Sequence, residues 1–197
     1  MANAKIAYSI LDLALVPQGS SIKQTLNNSL ALAKEAEALN YKRIWFAEHH
    51  NSEYVGSNAP SVLIGYVAEN TNTIKVGSGG IMLPNHSPLV VAEQFGTLAH
   101  LYPGRIELGL GRAPGTDMDT AQAIRSDFMK AAHSFPQEVA KIQRHSERPP
   151  KGYIKSRHLG CILQIYQINE QLTIVNRRLQ QFLEYVKVDR QPWTEDW

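Results

Sequence analysis

Histidine is the side chain that titrates closest to neutrality, and this sequence sets two side by side in Ala47-Glu48-His49-His50-Asn51. A carboxylate and two imidazoles at consecutive positions can accept, hold and pass on a proton. A hydrogen-bonded pair of loop histidines is the plainer reading, and residue types alone leave both open. A metal centre is not expected here. Neighbouring residues on an extended segment point to opposite sides and do not converge on one ion.

Two further strings carry chemical potential. In Val76-Gly77-Ser78-Gly79-Gly80-Ile81-Met82-Leu83-Pro84, the pair Gly79 and Gly80 permits unusual dihedrals and lets a flat ring approach the backbone. Taken alone, the same pair reads first as a tight turn. In Leu108-Gly109-Leu110-Gly111-Arg112-Ala113-Pro114-Gly115, Gly111 followed by the Arg112 guanidinium offers a cleft for a phosphate or another anion. A dinucleotide-binding fingerprint is a poor match, because the last glycine spacing is wrong and Pro114 interrupts the turn. Tyr102-Pro103-Gly104-Arg105 reads as a structural turn.

The segments that must position these residues alternate in kind. Short apolar runs at residues 6–15, 43–47, 73–78 and 105–110 have strand character. Helical spacing marks residues 20–39, capped by Ser20 or Ser21, with Ile22, Leu26, Leu30, Ala33 and Ala36 to Ala38 on one face. Residues 57–69 follow as a helix with Pro60 in its first turn, then residues 89–100. Residues 119–129 and 137–144 are further helices, interrupted at Phe135-Pro136. Each chemical string falls where a strand ends.

Four strand–helix pairs in succession imply a parallel α/β sheet, since each crossover returns with the same hand. Strands apolar along their length predict a sheet covered on both faces. A (β/α) barrel and an open doubly wound sheet both satisfy the pattern.

The character changes near His145, which gives residues 1–145 as a half barrel of about four β/α units and 146–197 as a divergent basic tail. Within the tail, residues 146–152 read as a linker and 161–168 as a strand. Leu172, Val175, Leu179, Phe182 and Val186 mark an amphipathic helix.

Composition excludes several classes. With 43% hydrophobic and 19% charged residues and a net charge of +2, the chain is an ordinary globular protein with no strong field for nucleic acid or membrane. Cys161 stands alone, so no internal disulfide forms. The apolar start is broken by Asp12 and reads as a buried strand rather than a signal peptide, and a cytoplasmic location is expected.

Several strings in order resemble the luciferase-like flavin-dependent monooxygenase family, which includes the bacterial luciferases. They are Tyr8-Ser9-Ile10-Leu11-Asp12-Leu13, Trp45-Phe46-Ala47-Glu48-His49-His50-Asn51, residues 76–86, residues 88–95 and residues 102–112. The likeness runs over about residues 3–145. It implies the N-terminal half of a TIM-like (β/α) barrel that uses reduced FMN and O2 to oxidise a small organic substrate. A deazaflavin is the alternative cofactor, and a flavin reductase is a partner that the family implies. On the same resemblance His49 is the active-site histidine, with Glu48 and His50 beside it. Gly79 and Gly80 lie against the flavin ring, where the family often has an unusual peptide bond. Gly111 sits near the ring's reactive face and Arg112 near the phosphate, while Asp12 and Asn51 line the mouth.

A full barrel takes about 250 residues, and the four recognisable units supply half of that. Open parallel edges invite pairing with another chain, so a homodimer of halves is one expected assembly. Turnover, flavin binding without catalysis, and an inactive family remnant are the three functional readings.

Overall fold

A computed structural model describes residues 8–147 and 164–167, all within one compact unit, Met1–Gln167. Five parallel strands form one sheet in the order β1 (Ser9–Asp12), β2 (Arg43–Phe46), β3 (Lys75–Met82), β4 (Ile106–Gly111) and β5 (Gln164–Gln167). Between them run α1 (Ile22–Ala38), α2 (Pro60–Glu69) and α3 (Pro88–Leu101), and α4 (Met118–Ile124), α5 (Phe128–His133) and α6 (Phe135–Glu147) follow β4. The strand order decides what periodicity left open. A doubly wound sheet reverses direction at a switch point, whereas here every strand adds to the same edge, the progression of a (β/α) barrel.

Register shows how the strands divide their two faces. Ser9, Arg43 and Lys75 pair across the sheet, as do Leu11, Trp45 and Gly77, and Gly77 pairs with Glu107. Side chains alternate along a strand, so this set shares one face. The other face presents Ile44, Phe46, Val76, Ile106 and Leu108 to a core that also holds Ile64, Val67, Phe95, Val139 and Ile142. Full burial of each such side chain contributes about 1.5–3 kcal/mol.

The expectation of uniformly apolar strands is therefore corrected. The non-helical face carries a charged cluster in which buried Glu107 meets Arg43 Nε at 2.7 Å and Lys75 Nζ at 3.0 Å. A carboxylate this deep is tolerated because two cations and their hydrogen bonds replace its water. Beside it the Trp45 ring lies across β3. A Cβ at Gly77 would come within 2.8 Å of that ring, so glycine is needed there.

β1 also differs from expectation. It spans four residues, none of them fully buried, and among the described strands it pairs with β2 alone. In α1, Ser21 caps the helix by accepting the Gln24 N–H at 3.1 Å. Its buried positions are Thr25, Ser29, Ala33 and Ala36, while Ile22 is exposed. Small residues let the helix sit close to its neighbours, so Leu26 and Leu30 flank the contact instead of centring it. The expected helix over residues 119–129 breaks into α4 and α5, and α6 begins at Phe135 and runs two residues into the expected linker.

The strand expected over residues 161–168 is observed as β5, paired in parallel with β4 from Glu107 to Leu110. The amphipathic helix expected around Leu172 to Val186 lies outside the described residues.

Candidate functional site

The last residues of β2, β3 and β4 and the loops that follow them meet at one end of the sheet, the end where barrel enzymes place their chemistry. The loop after β2 is held from three sides. Ala47 donates its N–H to the Asp12 carbonyl at 3.1 Å, and Ser57 Oγ donates to the Ala47 carbonyl at 2.6 Å. His49 N–H donates to the Ser57 carbonyl at 3.1 Å, and His50 N–H to the Gly115 carbonyl at 3.0 Å. Thr116 Oγ1 returns a bond to the His50 carbonyl at 3.1 Å. The three backbone positions that matter are thus pinned by β1, by the approach to α2 and by the loop after β4.

Glu48 is fully buried, and its carboxylate organises the site. Oε1 lies 2.7 Å from His50 Nε2 and 2.7 Å from His86 Nε2, while Oε2 accepts the Met82 N–H at 3.1 Å. Burial works against the charged form, but hydrogen bonds from His50 and His86, aided by their charge, prevail and bring its pKa down to about 2. The donor atoms of Glu48, His50 and His86 lie within 4.8 Å of one another, compact enough for a cation. Both imidazole separations are nonetheless of hydrogen-bond length.

His49 takes a different environment. It is half-buried, and its ring makes no hydrogen bond to another described residue. Burial lowers its pKa, the neighbouring His50 lowers it further, and Glu48 partly opposes both. These influences favour the neutral ring, which has a lone pair to offer.

Gly79 and Gly80 are joined by a cis peptide bond, at the point where the register of β3 against β4 shifts. A Cβ at Gly79 would lie 2.9 Å from Trp45 Cβ, and one at Gly80 would lie 2.9 Å from the Gly109 carbonyl oxygen. Protein atoms occupy the side a Cβ would take, so these glycines answer first to close strand packing. Gly111 ends β4 beside Met82, whose sulfur would be 2.8 Å from an added Cβ. Arg112 follows at the same end. It is exposed and pairs with no carboxylate among the described residues. No hydrogen bond links it to the histidines.

The family model for luciferase-like monooxygenases matches residues 7–140. The chain belongs to the luciferase-like monooxygenase family. Curated relatives in this family include a luciferase-like monooxygenase of Escherichia coli strain K12, 56% identical over 142 residues, or 72% of this chain and 42% of that one. The N-acetyl-S-alkylcysteine monooxygenase of Bacillus subtilis is 41% identical over 137 residues, covering 70% of this chain and 41% of that one. Among solved structures, apo-MsnO8 superposes with a TM-score of 0.75 at 34% identity, over 82% of this chain and 49% of that one. The FMN complex of the oxygenating constituent of 3,6-diketocamphane monooxygenase from Pseudomonas putida gives a TM-score of 0.61 at 20% identity, over 73% of this chain and 40% of that one, a likeness of fold. This luciferase-like chain spans less than half the length of the relatives it matches.

Several site residues had no role assigned from sequence. His86 is the foremost, a second imidazole on the carboxylate that holds His50. Its signal was a histidine just past a strand end, two residues after Pro84. Arg125 is another: Nη1 donates to the carbonyls of Pro84 at 3.3 Å and His86 at 2.9 Å, fixing the turn that carries His86. An arginine just past the end of α4, 39 positions away, leaves no local trace of that contact. Asn51, expected at the mouth, is exposed and donates from Nδ2 to Thr120 Oγ1 at 3.0 Å.

Two buried oxygens, Asp12 Oδ2 and Asn85 Oδ1, have no hydrogen-bond partner among the described residues. Asp12 uses Oδ1 for the Ala14 N–H, and Asn85 uses Nδ2 for the Pro114 carbonyl. Buried polar atoms are nearly always satisfied, so acceptors of this kind suit a ligand that brings N–H or O–H donors. A flavin does so through its ring N–H and ribityl hydroxyls. Among the described residues no helix is long and apolar enough to cross a membrane.

Proposed function

We propose that this chain carries the flavin-facing half of an FMN-dependent monooxygenase site. In the overall reaction, reduced flavin and O2 oxidise a small organic substrate, giving the oxygenated product, oxidised flavin and water. FMN when bound supplies the electrons that activate oxygen. Gly79, Gly80 and Gly111 would border its ring, and Arg112 would meet its phosphate through a fork of donors.

The observation that carries this reading is the convergence of Glu48, His49, His50 and His86 at the strand ends of a parallel sheet of barrel order. His49, kept neutral by burial, acts as the proton acceptor. Glu48 holds the adjoining rings. Reduced flavin has to be delivered, which makes a flavin reductase the natural partner class. A second copy of the chain, pairing along an edge strand of the described sheet, is the proposed assembly, and gel filtration tests it.

Titration with FMN, followed by oxygen uptake with reduced flavin, tests the whole reading. We expect a flavin spectral shift and substrate-dependent uptake. His49→Ala is expected to lower turnover at least 100-fold with flavin affinity near that of the parent. Equal turnover in both proteins would remove the role given to His49. A shift without uptake would establish the second reading, flavin binding without catalysis. A shift with a deazaflavin and none with FMN would change the cofactor.

A further inference from the structure

The outer turn after β3 carries an imidazole that the proposed chemistry does not use. His86 Nε2 and His50 Nε2 both lie 2.7 Å from one oxygen, Glu48 Oε1. Their rings are tilted by 51° with centroids 6.4 Å apart, so each reaches the carboxylate from its own direction. An ionised carboxylate has lone pairs and no hydrogen to give. Each ring nitrogen facing it must therefore be the donor. A neutral imidazole has one N–H, and the nitrogen that is not engaged keeps the lone pair.

We propose that Glu48 is a positioning residue that locks both His50 and His86 in the Nε2–H tautomer, leaving Nδ1 of each ring as its proton-accepting atom and making His86 a member of the site. Three donors, the two rings and the Met82 N–H, then satisfy the carboxylate. The Arg125 guanidinium holds the His86 carbonyl and not its ring, so it leaves the tautomer unchanged. His49, the remaining imidazole beside the cluster, makes no bond to it. A proton taken up by either ring enters at Nδ1, and the resulting imidazolium already has its counter-charge in place at Nε2. The tautomers belong to the free protein and hold whether or not flavin binds, whereas their effect on turnover rests on the monooxygenase reading.

The same fold supplies internal references. His100 Nδ1 lies 2.8 Å from the Gly96 carbonyl and His133 Nδ1 lies 2.6 Å from the Met129 carbonyl. A carbonyl also only accepts, so these two rings must hold the opposite Nδ1–H tautomer.

Long-range proton–nitrogen correlation spectra of the nitrogen-15-labelled full chain, recorded where the rings are neutral, read all four tautomers. We expect His50 and His86 to give the Nε2–H pattern, with His100 and His133 giving its mirror. In Glu48→Ala, which removes the shared acceptor, both site rings lose their fixed pattern while His100 and His133 keep theirs. His86→Gln, a change at a partly exposed side chain, leaves His50 as Nε2–H and guards against a Glu48 variant that fails to fold. With reduced FMN and substrate, His86→Gln lowers kcat several-fold with little change in KM. An Nδ1–H pattern for either site ring in the parent protein overturns the proposal. So does an unchanged pattern for both rings in folded Glu48→Ala. Micromolar zinc shifting both Nε2 resonances into the metal-bound range overturns it too, in favour of a cation centre.

Discussion

The backbone N–H of His50 donates to the carbonyl of Gly115 at 3.0 Å, tying the loop after β2 to the loop after β4. Gly115 has φ +66°, and a Cβ there would fall 2.6 Å from the Glu48 carbonyl oxygen. Both facts require glycine. Gly115→Ala is expected to cost about 2–4 kcal/mol in urea unfolding and to shift the His50 amide resonance. A loss under about 0.5 kcal/mol, the range of a neutral surface change, would show that the loop relaxes freely.

Two glycines expected near the flavin should respond differently to the same substitution. At Gly80 an added methyl meets the backbone of β4, which cannot move without parting the sheet. At Gly111 it meets the flexible Met82 thioether. We expect Gly80→Ala to destabilise by more than about 2 kcal/mol and Gly111→Ala by less than about 1 kcal/mol. Thermal unfolding compares them, and equal losses would contradict the packing given for β3.

Glu48 makes stability depend on acid. Its carboxyl falls from the ordinary 4.5 to about 2, because hydrogen bonds from His50 and His86 overcome burial. A depressed carboxylate contributes stability that is complete above the unfolded pKa and disappears as pH falls through the folded one. The window is thus pH 4.5 down to about 2. Glu48→Gln should be less stable at pH 7, by up to roughly 3 kcal/mol, and should approach the parent near pH 2. Parallel pH–stability curves for the two proteins would refute this.

Arg105, read from sequence as part of a turn, closes the far end of α2. Its guanidinium donates to the carbonyls of Ala68, Thr71 and Ile74 and to Thr71 Oγ1, at distances from 2.6 to 3.1 Å. A lysine has a single ammonium and cannot span these acceptors. Arg105→Lys is expected to cost about 1–3 kcal/mol, measured by urea unfolding, without altering flavin affinity at the opposite strand ends.

The sequence alone determined the kind and order of the elements. Local spacing showed where apolar runs gave way to helices, Ser21 marked the first cap, and the strings at the strand ends named the family. Glu48, His49 and His50 could be nominated because they are neighbours in the chain. What tertiary structure decided is everything that depends on separation in sequence. The barrel order of the strands, the charged cluster of Arg43, Lys75 and Glu107, and the small-residue contact of α1 follow from how elements pack. So does the arrival of His86 on the oxygen that holds His50, 36 positions earlier. Periodicity records which side of an element is apolar. Which buried carboxylate will face which ring is set only when the sheet brings the loop ends together.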